Sequence, residues 1–193
     1  MVAIPTAHKI AAAARRLLER EGTEAVTMRR VAEAVGITPM AIYRHYPDRE
    51  ALLNALADRG FEELVAASTA RRLPTDIEAR LLAMADVHLA HALAHPRLYE
   101  LMFLKPRRGA RQFPRDFKAG RSPTANLAVT ILKQGMDSGY LRREDPWEIM
   151  FEMGALIEGL IMLYLGGRFD GSASRFRALM RRSLRRYLHG IYA

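Results

Sequence analysis

The sequence has no cysteine among its 193 residues. That excludes disulfides and thiolate metal sites, and it fits a reducing compartment such as the cytoplasm. No long uninterrupted apolar run occurs either. The longest, around Met150 to Leu165, is broken by Glu152 and Glu158, so no membrane span is expected. The apolar residues of MVAIPTAHKIAAAARRLLER recur at helical spacing, unlike the continuous core of a signal peptide. Strand signals and low-complexity segments are lacking. So are a glycine-rich phosphate loop, a nucleophile elbow and paired carboxylates in a polar pocket; no catalysis and no cofactor are expected.

Half of the residues are hydrophobic and about a quarter are charged, which describes a folded globular chain. The net charge of +9 invites a nucleic-acid reading, but its distribution does not locate the surface. Residues 1–49 carry 8 basic and 5 acidic groups, whereas 105–121 and 166–193 each carry 7 basic and 1 acidic. A motif has to locate it.

That motif is TMRRVAEAVGITPMAIYRHYPDR, Thr27 to Arg49. It reads as two short helices joined by a tight turn, with Ala32 permitting close approach, Gly36 supplying the left-handed turn residue, and Ile42 holding the second helix against the first. Thr27 is placed to cap the first helix. Thr38-Pro39 places a cap ahead of proline at the first helical position, where its missing N–H costs nothing. The second helix, Pro39 to His45, is too short to be stable alone.

From about Lys9 to Leu56, about a quarter of the chain, the sequence resembles the DNA-binding head of TetR/AcrR-type transcriptional regulators. AAAARRLLEREG, TMRRVAEAVGI and AIYRHYPDREALL carry the likeness, above all the continuation Y-x-H-Y-x-x-R-E-x-L-L. The resemblance implies a double-stranded DNA operator as partner. It assigns Pro39, Met40 and Ala41 to base contacts, with Thr38 capping their helix. It assigns Tyr43, His45 and Arg49 to phosphates, and Thr27 and Arg29 to the backbone beside them. It also implies a ligand-responsive body and a homodimer paired through the last two helices. Packing alone is the rival reading for Tyr43 and His45.

Along the chain, Thr6 is placed to cap a first helix ending at Gly22, and Asp48 a fourth helix from Arg49 to about Thr69, with Leu52, Leu53, Leu56 and Leu64 on its buried side. Arg71-Arg72-Leu73-Pro74 marks the boundary between a head (1–70) and a body (75–193). Thr75-Asp76-Ile77-Glu78 reads as a capping box for helix five, to about Ala94. Pro96 opens a short helix. Residues 105–121, with two prolines, two glycines and the charge run, read as a loop. Ser122-Pro123, Asp145-Pro146-Trp147-Glu148 and about Ser174 open the remaining helices, which end near Asp137, Gly166-Gly167 and Ile191. The expected class is all-α, with about nine helices: an N-terminal three-helix head and a C-terminal helical body for ligand binding and dimerisation.

In the body, His88, His91 and His95 share a helical face. Together they could hold zinc or nickel; alternatively one is an inner hydrogen-bonded histidine and the others lie at the rim. No carboxylate stands at matching spacing, so no metal is assigned. Met84, His88, Tyr99, Met102, Phe103, Met153 and Ile157 are candidates for an effector site, each alone equally readable as core. The resemblance implies a ligand-responsive body, and a Met-rich wall suits a small apolar or amphipathic effector. Glu158 reads either as an anchor for a cationic ligand or as a partner for an arginine across a dimer. The helix Pro146 to Leu165 is apolar on opposite faces, one more than a single core covers, and so points to self-association. The arginines backing the last helix read as a solvated face, with a membrane surface as the rival; no membrane partner is assigned. The whole is expected to be a cytoplasmic, homodimeric, ligand-released repressor. The rivals are a helical enzyme or binding module with a vestigial head, and a basic scaffold at membranes.

Overall fold

A computed structural model describes residues 6–70 and 74–193. The all-α class holds. The described residues form ten α-helices rather than about nine: α1 Thr6–Glu21, α2 Met28–Val35, α3 Pro39–Tyr43, α4 Arg49–Thr69, α5 Ile77–Ala94, α6 Pro96–Phe103, α7 Arg115–Lys118, α8 Pro123–Asp137, α9 Pro146–Leu165 and α10 Ala173–Gly190, with a 3-10 turn at Thr23–Ala25. The unexpected helix is α7, inside the stretch 105–121. Its cause is electrostatic, not periodic. The buried Asp116 carboxylate accepts from the Gln112 amide at 2.8 Å and pairs with Arg115 and Arg121, each at 3.0 Å. These donors hold its pKa down at about 2, with Arg115 the largest cause.

Most helix starts follow the capping logic. Thr27 and Thr38 accept from the amides of Arg30 (3.2 Å) and Ala41 (3.3 Å), and Asp48 accepts from Ala51 at 2.7 Å. The box at 75–78 is displaced. Asp76, not Thr75, is the cap, accepting from Ala79 at 2.7 Å, and Glu78 turns to Arg185 of α10 at 2.7 Å and to the Tyr192 hydroxyl. A charge-assisted partner from another helix outcompetes the local amide. Thr6 is the first residue of α1. The break at Arg71-Arg72-Leu73 lies outside the described residues.

The chain divides into two compact units. The first runs to Phe61 and takes in His95–Ala110; the second comprises Glu62–Ala94 and Arg111–Ala193. The division falls inside α4. In the first unit, Ile10, Ala14 and Leu18 of α1 are buried together with Val31, Ala32, Ile42, Leu52 and Leu56. Helix α6 is part of this unit: Leu98, Tyr99 and Leu101 are fully buried, Arg97 donates to the Glu19 carbonyl at 3.2 Å, and His95 Nδ1 lies 3.2 Å from the Glu19 carboxylate. Gly60 of α4 has no side chain because Met102 and Leu98 fill the space; a Cβ there would collide with the Met102 sulfur.

In the second unit α5, α8, α9 and α10 pack against one another. Leu81, Leu89, Leu132, Ile161, Phe176, Met180 and Leu184 form its core. Ion pairs tie α10 to α5: Arg177 and Arg181 reach Asp86 at 3.7 and 2.5 Å, and Arg185 reaches Glu78. Half of the arginine run on α10 is therefore committed to a neighbouring helix; Arg175, Arg182 and Arg186 remain exposed. Among the described residues, no helix is long and apolar enough to cross a membrane.

Candidate nucleic-acid interface

Helix α2 starts at the Thr27 cap and stops at Gly36, whose φ of 75° lets the chain reverse without a Cβ clash. The Ile37 amide then closes onto the Ala32 carbonyl at 3.1 Å. Thr38 and Pro39 start α3, and Ile42 is its only buried residue. One fully enclosed isoleucine, worth about 1.5–3 kcal/mol of burial, thus docks a five-residue helix that propensity would not support.

The rest of that helix faces outward. Met40 is 71% and Tyr43 47% exposed, large values for such side chains. Pro39, Arg44 and His45 are exposed as well, and Ala41 is half-buried. On the neighbouring helix start, Arg29 is exposed and Thr27 half-buried. Eight of the nine residues assigned to DNA contact therefore line one short stretch of α2 and α3. The ninth, Arg49, is half-buried at the start of α4, and its guanidinium donates to the carbonyls of Val26 at 2.8 Å and Thr23 at 2.7 Å.

Two of the four arginines in this region bond to other groups of the chain. Arg30 pairs with Glu21 at 2.9 Å, which lowers the carboxyl's pKa and raises its own. Arg49 is the other. Arg29 and Arg44 point to solvent, with no partner among the described residues. Arg44 stands at the unspecified position of the Y-x-H-Y pattern, which is why motif reading passed over it; its place directly after the recognition helix was the available signal.

The effector candidates do not fall in one unit. Tyr99, Met102 and Phe103 belong to the first, where Tyr99 and Phe103 stack at 4.4 Å and Phe103 meets Phe61 edge-on at 5.3 Å. Met84, His88, Met153 and Ile157 belong to the second, on the packed pair α5 and α9. Burial, and secondarily the charge of His91, pushes the His88 imidazole down to about 4, so it is neutral at pH 7. His91 lies 3.4 Å from Glu63, while His95 pairs with Glu19 in the other unit. Glu158 is half-buried on α9, and desolvation raises its carboxyl to about 7.

Residues 10–56 match the family described as bacterial regulatory proteins, tetR family, and residues 81–187 match the tetracyclin repressor-like C-terminal domain. No curated protein matches the chain. Among solved structures, a protein of unknown function from Rhodococcus sp. RHA1 is 27% identical, with TM-score 0.80 over 100% of this chain and 98% of that one. A putative tetR family transcription regulator from Shewanella sp. PV-4 shares the fold at 17% identity (TM-score 0.74; 98% and 100% covered). The fatty acid degradation regulator FadR from Bacillus halodurans does so at 16% (TM-score 0.72; 91% and 95% covered). With the head and more than half of the chain beyond it both matched, this chain belongs to the TetR family of helix-turn-helix transcriptional regulators.

Proposed function

We propose that the protein is a ligand-released repressor that binds a palindromic operator as a homodimer and performs no catalysis. The observation carrying the DNA-binding part is α3: a five-residue helix anchored by Ile42, with Met40, Tyr43, Arg44 and His45 left in solvent. Such a helix inserts its N-terminal residues into the major groove, Met40 and Ala41 against thymine methyls and flanking groups against phosphates. The dimer is supported by α9, whose outward side exposes Phe151 (45%) and Leu163 (52%) with Ala155 and Gly159 between them. A second copy related by a two-fold axis would cover that side and double the recognition surface.

The effector part of the reading rests on α5 and α9. Met84, Met153 and Ile157 offer an adaptable apolar wall and His88 one neutral polar group, a combination suited to a small apolar or amphipathic molecule. Helix α4 is continuous from the Asp48 cap into the second unit, so an effector that prefers one of its placements alters operator affinity. A coupling of about 1–3 kcal/mol changes that affinity roughly 5–150-fold. Such a regulator works in the cytoplasm, on the DNA itself.

Selection from random oligonucleotides tests the reading. Two-fold-symmetric sites, with half-site centres about ten base pairs apart or somewhat more, are expected. Single, non-palindromic sites would count against the dimer, and no enrichment at all against DNA binding. Any compound that weakens operator binding must itself bind less tightly, by the same factor, to the operator complex. Equal affinity for free and bound protein would remove the mechanism.

A further inference from the structure

We propose that Arg49 serves DNA binding as a positioning residue rather than as a phosphate contact, and that Arg29 and Arg44 carry the charge facing the backbone. The inference rests on the DNA-binding reading above and assigns its residues differently from the family pattern. Arg49 is the first residue of α4, immediately after the helix-turn-helix. Its fork closes on the linker immediately before it: Nε donates to the Val26 carbonyl at 2.8 Å and Nη2 to the Thr23 carbonyl at 2.7 Å, with the Glu24 carboxylate 3.6 Å away. The two ends of the segment Thr27–Asp48 are thereby tied together at its base.

Both carbonyls belong to the turn that aims α2. Val26, fully buried, directly precedes the Thr27 cap, and the Val26 and Thr27 amides bond back into the same turn at 3.1 and 3.0 Å. Two charge-assisted bonds from one planar group fix both the position and the tilt of that turn. An ammonium, as a compact point charge, lacks the fork to hold both carbonyls in this geometry. Nε and Nη2 of Arg49 are each held by a carbonyl of that turn, whereas Arg29 on the first turn of α2 and Arg44 at the end of α3 are exposed and have no partner among the described residues. Counterion release, and with it the salt dependence of binding, should follow those two residues and not Arg49.

Hydrogen exchange on the free protein and the salt dependence of operator binding together test this. Arg49→Ala should speed amide exchange at residues 23–30 with no DNA present. It should weaken binding to all sequences on the order of ten-fold, while the slope of log affinity against log salt stays unchanged. Arg29→Ala and Arg44→Ala should each reduce that slope by about one and leave the exchange of residues 23–30 as it was. Arg49→Lys, which keeps the charge and covers the case in which the alanine variant does not fold, should still bind weakly and exchange fast. Unchanged exchange at 23–30 in Arg49→Ala, a slope reduced by about one, or full affinity in Arg49→Lys would each overturn the proposal. If the native protein selected no DNA, the functional reading would fail, and the exchange measurement alone would still decide whether Arg49 is the brace.

Discussion

Two titratable side chains on facing helices of the second unit act on stability in opposite directions over nearly the same pH range. Burial lowers His88 to about 4 from its ordinary 6.5, so the unfolded chain binds the extra proton between those values. Its contribution is present above pH 6.5 and is lost as pH falls toward 4. Burial raises Glu158 to about 7 from 4.5, so its contribution is present below pH 4.5 and is lost as pH rises through 7. Glu158→Gln removes the second effect alone. It should raise stability at pH 8 by on the order of 2 kcal/mol and leave pH 4.5 nearly unaffected, read from thermal unfolding at both values. Lower stability at pH 8 would mean that a cation from a second copy meets this carboxylate. At the interface, Met40→Ala should change the base preference found by selection more than the overall affinity, because the side chain is exposed and uncharged. A uniform loss across sequences would place Met40 outside the groove.

At the scale of elements, α6 and the residues after it are bound into the first unit by more than apolar contact. Arg107 donates to the Asn54 side chain at 2.8 Å and to the carbonyls of Leu101 and Met102 at 3.0 and 3.3 Å; the Arg108 amide donates to Glu50 at 2.8 Å. The loop after α6 thus grips the first turns of α4. Arg107→Ala should destabilise this unit by about 2 kcal/mol in chemical denaturation, since it leaves several acceptors without their charged donor. The same packing makes an unusual forecast for Gly60. Alanine in a helix interior ordinarily stabilises relative to glycine by roughly 0.5–1 kcal/mol. Here the new Cβ meets the Met102 sulfur and stands 3.0 Å from a Leu98 methyl. Overpacking typically costs about 1–3 kcal/mol, so Gly60→Ala should destabilise. A gain in melting temperature would show the α4–α6 contact to be loose.

For the whole molecule, the proposed dimer rests on the side of α9 that exposes Leu163. Leu163→Glu adds a charge where the protomer already exposes the residue, so the fold should tolerate it. In the proposed dimer the same charge would be buried. Sedimentation at micromolar concentration should then report a monomer with native helix content, and affinity for a palindromic site should fall sharply while half-site binding remains weak. A variant that still sediments as a dimer would move the interface off this face.

Local physics made much of this protein legible in its sequence. Caps at Thr27, Thr38 and Asp48, the glycine turn at Gly36 and the helical spacing of the leucines on α4 depend on neighbours within one or two turns, and the helices follow them. So does the outward-facing strip on α3, because a helix whose one buried anchor is Ile42 must expose its other sides. What only tertiary structure decided involves partners distant in sequence. Glu78 leaves its capping box because Arg185 and Tyr192 arrive from the far end of the chain. Helix α6 joins the first unit because Glu19 and Gly60 supply its seat. Arg49 takes two carbonyls of the α1–α2 linker as acceptors because they lie within reach of its fork. Periodicity identifies which residues are apolar and which carry charge. It does not contain the three-dimensional competition among donors and acceptors that decides which partner each charge takes.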